Sequence, residues 1–489
     1  MKKKIVSALM CATMAASLLV GCGSETAAPA GSEAASAGET TSDGTADTPA
    51  TEATEAAEAE DTNTITGDID ASDAFVVWGW NDDIKKILDG PFAEANPDAY
   101  SRIVFVNSGG SDYYQTQIDA LLEDPSNKLY PDLMGLEIDY VQKYVQSGAL
   151  LSMADMGITD ADVASQYQFN RVVCSEDGSG SADAMYASFW QATPGAWCLR
   201  ADLCEKYLGT TDPDELQAMF ATWKDVEATA AKVSEASNGA CRLLSGWDDL
   251  NRVFMNNRKS GWYDANDNIV VDDQVKAYFE EAKLFYDNEW TFNTTQWQGD
   301  WYSMMDGDGV DSNAALAYTG CPWFQYWCLS STWEGQCITI PGPQSFYWGG
   351  TGLAATSECS DPELAATIIK FFTCDSESIQ AIAKFNCDFV NSADANAALL
   401  EYSKAESDET AQNLASGRGI MNSQNYLEVY SEILAGMNLD TSIVRAEDKA
   451  INDNISQYIK QYIEDGDYDA AINGLVSYIH DTYSYLNVQ

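Results

Sequence analysis

The chain has 489 residues, a formal net charge of −50 and a single histidine. Because phosphate binding draws on Lys and Arg, and 26 such residues stand against 76 acidic ones, nucleic acid is excluded as a partner. The one histidine, His480, has no nucleophile motif to join it in a Ser-His-Asp or Cys-His arrangement. We therefore predict a protein that is not an enzyme, without cofactor or catalytic residue.

The first 22 residues have the pattern of a targeting segment. Three lysines precede the apolar stretch Ile5 to Val20, which is shorter than a comfortable membrane span. Leu19-Val20-Gly21-Cys22 resembles the lipobox of bacterial lipoproteins, in which the cysteine receives a diacylglyceryl group. We expect a signal peptide over 1–22, lipid on Cys22 and a location on the extracellular face of the cytoplasmic membrane. The alternative is ordinary secretion with an incidental cysteine.

Residues 23–72 are predicted to form a disordered acidic tether. They are rich in Ala, Thr, Gly, Ser, Glu and Asp and contain no Lys, Arg or aromatic residue. Such a segment buries too little apolar surface to offset its ordering entropy. The remaining chain exceeds the size at which one core keeps growing, so we expect two lobes.

Apolar strands and amphipathic helices alternate after the tether. Strands are predicted at Phe75 to Trp80, Ile103 to Asn107 and Pro131 to Leu136, with helices at Ile84 to Glu94 and Tyr113 to Leu122 between them. This order favours parallel β-α-β units with right-handed crossovers. Ligands of such sheets bind beyond the carboxyl ends of the strands.

Polar and aromatic residues follow each of these strands. The sets are Trp80-Asn81-Asp82, Asn107 to Ser111, and Glu137-Ile138-Asp139-Tyr140. If the sheet is parallel they face one cleft, where carboxylates accept hydrogen bonds from hydroxyls and an indole packs on the apolar face of a pyranose. The Gly109-Gly110 turn could instead cradle an anion, but the neighbouring carboxylates oppose that.

Each of these residues also has a structural explanation. Asp82 and Asp139 both precede helical patterns and could serve only as helix caps. Trp78 lies two residues before Trp80 and is expected to be a core residue.

The segment from Pro131 to Leu150 resembles a known family. Its Pro-Asp-apolar-apolar start and its Tyr144-Val-Gln-Ser-Gly-Ala-Leu150 end are similar to a pattern of extracellular solute-binding proteins for carbohydrates, the family that includes maltose-binding protein. The resemblance places Asp139 where family members bond sugar hydroxyls and Asp82 at an acidic position of the first sugar-binding loop. Tyr140 stands where maltose-binding protein has arginine, which leaves the particular sugar open.

Further segments extend the resemblance over most of residues 74–390. In chain order they are Ala196 to Leu203, Thr222 to Val226, Ala315 to Trp323, Ile340 to Pro343, Trp348 to Gly352 and Ser360 to Phe372. Trp323 falls on an aromatic position that stacks on sugar in the family. The C-terminal part beyond residue 390 reads as amphipathic helices and matches only loosely.

The resemblance implies a two-lobed α/β fold of the periplasmic-binding-protein type, with parallel-rich sheets, flanking helices and a hinge. Lobe 1 is expected to comprise 73–188 and 349–390, and lobe 2 to comprise 189–348 and 391–489, with crossovers near residues 188, 348 and 390. Such proteins close over their solute by hinge bending.

The expected function is capture of a carbohydrate, preferably an oligosaccharide, by a monomer that delivers it to the permease subunits of an ABC importer. The predicted ligand-binding residues are Trp80, Asn81, Asp82, Asp139, Trp190, Trp323 and Trp348. Two alternatives stay open: a binding protein for a cationic solute such as a polyamine, because rings and carboxylates also form cation sites, and a secreted glycoside hydrolase, which needs two carboxylates.

The cysteines and two acidic loops are candidate sites of disulfide bridges and of metal binding. Of 12 cysteines, ten lie beyond Cys22, and we expect some disulfide bridges mixed with buried thiols. Asp264 to Asp272 lacks the glycine and glutamate of a calcium loop and is predicted to form a hairpin turn. Asp306 to Gly309 is predicted to be an ordinary loop, so no metal site is expected.

Overall fold

The computed structural model of the protein describes residues 63–488. The predicted signal peptide, the lipid on Cys22 and the tether up to residue 62 lie outside these residues. The strands are β1 (Thr64–Thr66), β2 (Phe75–Gly79), β3 (Ile103–Asn107), β4 (Leu133–Glu137), β5 (Ser188–Phe189), β6 (Ala196–Arg200), β7 (Cys241–Arg242), β8 (Ala314–Ala315), β9 (Ala317–Gly320), β10 (Cys337–Ile340) and β11 (Thr351–Ala355).

A six-stranded sheet forms the centre of lobe 1, in the order β1-β3-β2-β4-β11-β5. Strand β2 pairs in parallel with both β3 and β4, as the β-α-β pattern predicted. Strands β1 and β11 run antiparallel to their neighbours. Every residue of β2 is buried, including Trp78, because helices cover both faces of a parallel sheet. The carboxyl ends of β2, β3 and β4 therefore meet at one edge.

Lobe 2 has a three-stranded antiparallel sheet in the order β10-β6-β9. A short parallel pair, β7 and β8, lies nearby. All five residues of β6 and all four of β10 are buried. Parallel pairing is thus found mainly in lobe 1.

The helices follow the predicted amphipathic segments. They are α1 (Asp83–Ile87), α2 (Ala93–Ala95), α3 (Pro97–Tyr100), α4 (Ser111–Leu122), α5 (Val141–Val145), α6 (Gln168–Val173), α7 (Ala201–Tyr207), α8 (Pro213–Met219), α9 (Trp223–Ser237), α10 (Asn251–Met255), α11 (Asp273–Asp287), α12 (Gly299–Asp306), α13 (Pro322–Trp327), α14 (Pro362–Thr373), α15 (Ser376–Asn386), α16 (Ala393–Ala405), α17 (Glu409–Ser416), α18 (Tyr426–Gly436), α19 (Asp448–Asp465) and α20 (Tyr468–Thr482). None of the helices within 63–488 is long and apolar enough to cross a membrane.

Local sequence explains several helix boundaries. Thr222 and Asp225 form the predicted capping box at the start of α9. The helix predicted from Ile84 to Glu94 is interrupted by a π-helical turn at Leu88–Phe92. Pro91 lies inside that turn and lacks the N–H group that an α-helical bond requires, which accounts for the interruption.

Chain segments near residues 191, 347 and 390 lie side by side. Gln191 forms a β-bridge with Val390, and Pro194 forms one with Tyr347. Beyond them, α16 to α18 contact both lobes: Asn396 donates to Tyr167 Oη, while Gln424 donates to the Thr339 carbonyl oxygen. Helices α19 and α20 then join the core of lobe 2.

Two sequence-based expectations require correction. The tether was predicted to run to residue 72, yet β1 already pairs with β3 from Thr64 onward. All three β1 side chains are exposed, and an edge strand held by backbone hydrogen bonds needs little apolar surface. The expected disulfides are also absent from the described residues, where all ten cysteines are free. Seven of these are buried and pack as small apolar side chains.

Candidate functional site

The ends of the first two parallel strands are joined by a hydrogen bond. Asn107 Nδ2, at the end of β3, donates to Asp82 Oδ1, just after β2, over 2.8 Å. Asp82 is exposed and its side chain makes no capping bond to α1. The exposed Asn81 donates to Asp83 Oδ2 over 2.9 Å. These polar groups lie at the sheet edge that the sequence indicated and leave Asp82 accessible from solvent.

Trp80 lies at the same edge and is half-buried. Its ring packs edge-on against Tyr114, with 5.3 Å between ring centroids and an angle of 73° between planes. Tyr114 is fully buried and donates to the Gly135 carbonyl oxygen over 2.7 Å. Trp80 is therefore supported from below by the core while part of its surface remains exposed.

Asp139, after β4, forms an ion pair across the two lobes. Both terminal nitrogens of Arg252, on α10, donate to its carboxylate, at 2.9 Å and 2.7 Å. Burial opposes ionisation of Asp139, but the charge and hydrogen bonds of Arg252 outweigh it and lower the pKa of the carboxyl group. Asp139 therefore has a structural partner, Arg252, that the sequence did not indicate, and its contact with a sugar stays a prediction.

The indole of Trp348 packs inside the same interlobe contact. The Arg252 guanidinium lies over the ring, 5.0 Å from its centroid, and Phe324 stacks on it at 5.3 Å and 27°. Only 3% of Trp348 is exposed. Trp348 therefore has no free ring face on which a sugar could stack as predicted. Its ring instead supports Arg252 and the neighbouring aromatic side chains.

Trp190 is a core residue. It is 1% exposed, its ring packs on Phe372, and its Nε1 donates to Asp388 Oδ2 over 3.1 Å. The predicted solute contact by Trp190 does not agree with this placement, because protein atoms cover the ring. A buried indole with a satisfied N–H is the expected arrangement in a crossover segment.

An exposed aromatic surface is formed instead by Trp297 and Trp323, which we call the indole platform. Trp297 is 44% exposed, and Trp323 is half-buried. Their rings are nearly parallel, 11° apart with 6.5 Å between centroids. Trp323 Nε1 donates to the Trp348 carbonyl oxygen over 3.0 Å, which fixes its orientation. The predicted ligand-binding residues include Trp323 but not Trp297.

Buried acids hold the loop that carries Trp297. The backbone at Trp297 is left-handed, with φ of 71°, a strained conformation for a tryptophan. The preceding amide, Gln296 N–H, donates to Asp248 Oδ2 over 2.8 Å, and Trp301 Nε1 donates to Asp249 Oδ1 over 2.9 Å. Burial and the neighbouring Asp248 raise the pKa of Asp249 to about 8. These contacts fix the loop and offset the local strain.

Glu137, the last residue of β4, meets the indole platform at Gly349. A Cβ atom added to Gly349 would lie 3.0 Å from Glu137 Oε1 and 3.5 Å from Trp323 Cζ2. Glu137 Oε2 accepts the Asp139 N–H over 3.1 Å. Burial, with the charge of Asp139, raises the pKa of Glu137 to about 8. The carboxyl end of the lobe 1 sheet and the aromatic surface of lobe 2 therefore face one point.

The charged groups beside Glu137 are largely paired with one another. Asp139 is paired with Arg252, Lys449 with Asp453, and Glu137 is largely neutral at pH 7.

Within residues 63–488 no group of three or more His, Cys, Asp or Glu side chains could hold a metal ion. The two acidic loops are ordinary turns: Asp264 accepts from the Asn268 backbone N–H, and Asp308 Oδ1 accepts three backbone N–H groups.

Two cavities lie between the lobes on the side of α5. The larger, about 580 Å³, is lined by α5, residues 172–178 and the segment 441–447, together with Tyr186 and Tyr263. The smaller, about 80 Å³, lies beside Asp139 and Arg252. The larger cavity has the volume of a small-molecule site but lacks the indole platform.

Solved structures share the fold. A family 1 extracellular solute-binding protein superposes with a TM-score of 0.67 at 14% identity, covering 84% of this chain and 99% of its own. The ABC-transporter-associated binding protein of B. animalis subsp. lactis Bl-04, in complex with β-1,6-galactobiose, gives 0.59 at 17% identity, covering 84% and 98%. The GacH receptor of Streptomyces glaucescens, solved unliganded and with acarbose, gives 0.60 at 14%, covering 85% and 99%.

These similarities confirm the predicted two-lobed α/β fold. No curated protein sequence matches the chain. A sequence profile for bacterial extracellular solute-binding proteins, however, matches residues 88–405, which is more than half of the chain. The protein belongs to the family of bacterial extracellular solute-binding proteins.

Proposed function

We propose that this protein captures a neutral carbohydrate between its lobes and delivers it to the permease subunits of an ABC importer. The observation that carries the proposal is the indole platform lying beside Glu137, at the carboxyl end of strand β4 in the lobe 1 sheet. Flat apolar rings beside hydrogen-bonding groups match the two kinds of surface that a sugar presents, its C–H faces and its hydroxyls. Galactobiose and acarbose bound to structural neighbours support the same class of solute.

The pairing of the charges beside Glu137 favours a sugar over a polyamine. A cation site gains from unpaired carboxylates beside aromatic rings. Here Arg252 already neutralises Asp139, and the raised pKa of Glu137 leaves that carboxyl group uncharged at pH 7. Binding of a neutral sugar should hardly change between 0.05 and about 0.5 M salt, whereas binding of a diamine should weaken strongly.

The ion pair between Asp139 and Arg252 also favours binding over hydrolysis. Glycoside hydrolases use one protonated and one ionised carboxyl group, about 5–9.5 Å apart. Glu137 and Asp139 differ in ionisation in this way, but two hydrogen bonds and the charge of Arg252 stabilise the Asp139 carboxylate, which makes it a weaker nucleophile and base. Chromatography of an oligosaccharide after prolonged incubation should return it unchanged.

The direct test is a thermal-shift screen with maltotriose, cellotriose, xylotriose, β-1,6-galactobiose and the diamine putrescine. A ligand at 100 times its Kd stabilises the folded state by about 2.7 kcal/mol, a readily measured shift. A shift with one or more of the neutral sugars supports the proposal. A shift with putrescine alone would replace it by the polyamine alternative.

Lipid attachment to Cys22 and action as a monomer complete the proposal. Two acyl chains give stable membrane anchoring, so the wild-type chain should enter the detergent phase on Triton X-114 partition, and Cys22→Ser should not. Light scattering of the protein without its first 22 residues should give the mass of one chain. Wild-type protein in the aqueous phase would contradict the anchor, and the mass of a dimer would contradict the monomer.

A further inference from the structure

We propose that Glu137 contacts the bound solute through its carboxyl group, with a hydrogen bond to a sugar oxygen, while Asp139 serves to hold the lobes through Arg252. This inference rests on the proposed function, because it names a residue and a pH dependence for the same site. Glu137 thus takes the sugar contact that the sequence analysis assigned to Asp139.

The position of Glu137 is the first support. It is half-buried at the end of β4 and so retains some exposed surface. One oxygen, Oε2, accepts the Asp139 N–H, and the other, Oε1, faces Gly349 and the edge of the Trp323 indole. A sugar ring lying on Trp323 would therefore present its edge oxygens to Oε1.

Gly349 makes this approach possible. Its φ of 61° is left-handed, and a side chain at this position would enter the space between Glu137 and Trp323. Glycine adopts this conformation without strain and lets the backbone lie close to both side chains. The chain thus brings the carboxyl oxygen and the indole edge together beside Gly349.

Burial, more than the surrounding charges, raises the pKa of Glu137. Its neighbours are Asp139 on its own loop, Arg252 on α10 and Lys449 on α19. Arg252 is engaged by Asp139 and Lys449 by Asp453, and among the described residues Glu137 has no ion pair of its own. Burial is then the largest influence, and the pKa of Glu137 rises to about 8.

The neutral state sets the pH dependence of binding. Below pH 8 the group carries its proton and can donate to a sugar oxygen. Above pH 8 it must first take up a proton, so the apparent affinity falls with the protonated fraction, by about tenfold at pH 9. The pKa of Asp139 is lowered and those of Arg252 and Lys449 are raised, so these neighbours keep their charges over this range.

The test is isothermal titration calorimetry with the sugar of the four-member panel that gives the largest thermal shift. Wild-type Kd should rise about tenfold from pH 7 to pH 9. At pH 8, titrations in buffers of different ionisation enthalpy should reveal uptake of about half a proton per sugar bound, which requires no variant. Glu137→Gln should bind a few-fold more weakly at pH 7, with less than about a twofold change up to pH 9 and no proton uptake.

Two control variants isolate the group. Asp249 also has a pKa of about 8 and lies behind the Trp297 loop, so Asp249→Asn tests it as the source of the pH dependence. Glu401→Gln removes an exposed carboxyl group on α16 and should keep the wild-type profile. Circular dichroism at each pH verifies folding.

Three results would overturn the inference: a flat wild-type profile, a Glu137→Gln profile equal to wild type, or loss of the pH dependence in Asp249→Asn. Failure of all four sugars to bind at pH 7 would instead overturn the proposed function.

Discussion

Replacing Asp139 by asparagine and Arg252 by methionine, singly and together, should reveal a strong coupling between the two lobes. The pair is bidentate, at 2.9 Å and 2.7 Å, and its side chains are only 21% and 25% exposed. Unit charges about 4 Å apart attract by about 4 kcal/mol at an effective dielectric constant near 20, before desolvation is subtracted. We therefore expect a net coupling energy of about 1.5–3 kcal/mol.

The assay is a double-mutant cycle on urea-induced unfolding of the protein without solute, followed by circular dichroism. Asp139→Asn should be the more harmful single change, because it leaves the Arg252 charge half-buried and unpaired. The exposed ion pair between Lys128 and Asp70 is a matched control and should show no measurable coupling. Losses at Asp139 and Arg252 that simply add would refute the assignment of this pair as an interlobe contact.

Three further predictions follow from the site and the core. Trp323→Ala and Trp297→Ala should each weaken sugar binding at least tenfold by calorimetry, since each removes one ring of the platform; unchanged affinity would show that the platform is not used. Gly349→Ala should abolish binding, because the methyl group would lie 3.0 Å from Glu137 Oε1 and the backbone is left-handed; binding at wild-type affinity would contradict the geometry. Burial raises the pKa of Glu281 to about 8, so the folded state binds its proton more tightly than the unfolded chain, and stability is lost as pH rises from about 4.3 to 8. Linkage between these two pKa values amounts to about 4–5 kcal/mol at pH 8, which the residual solvent exposure of this half-buried group reduces. Glu281→Gln should accordingly stabilise the protein by at least about 1 kcal/mol in urea unfolding at pH 8 and by nothing at pH 4; equal effects at both values would contradict a buried, protonated carboxyl.

The regular elements near the site could be predicted from the sequence. Strand β3 has the predicted bounds, and the parallel pairing of β2 with its neighbours agrees with the alternation of strands and helices. Once that pairing is known, the meeting of Asp82 and Asn107 follows from the geometry of parallel strands. The spacing of apolar residues and the turn residues between them are sufficient to predict these strands and helices.

The partners of the site residues could not be predicted in the same way. Arg252 lies 113 positions from Asp139, and no local pattern links them. Trp190, Trp348 and Trp297 are the same residue type, and only the tertiary packing decides that the first two rings are buried and the third is exposed. The residue type therefore indicated a ring in the cleft without indicating which one.

Two other features also escape a sequence reading. The ionisation of Glu137 depends on burial and on a cation already engaged by another acid, which is a property of the assembled fold. Strand β1 carries exposed side chains and is held by backbone pairing, which leaves no apolar signature. A low-hydropathy segment was consequently assigned to the tether.

The most direct test of the account is a crystal structure of the protein with the neutral oligosaccharide that gives the largest thermal shift. We predict a pyranose ring within about 4 Å of the Trp297 and Trp323 indoles, with its hydroxyls toward Asp82 and Glu137. A sugar bound instead in the cavity of about 580 Å³ beside Tyr186 and Tyr263, with the indole platform uncovered, would contradict it.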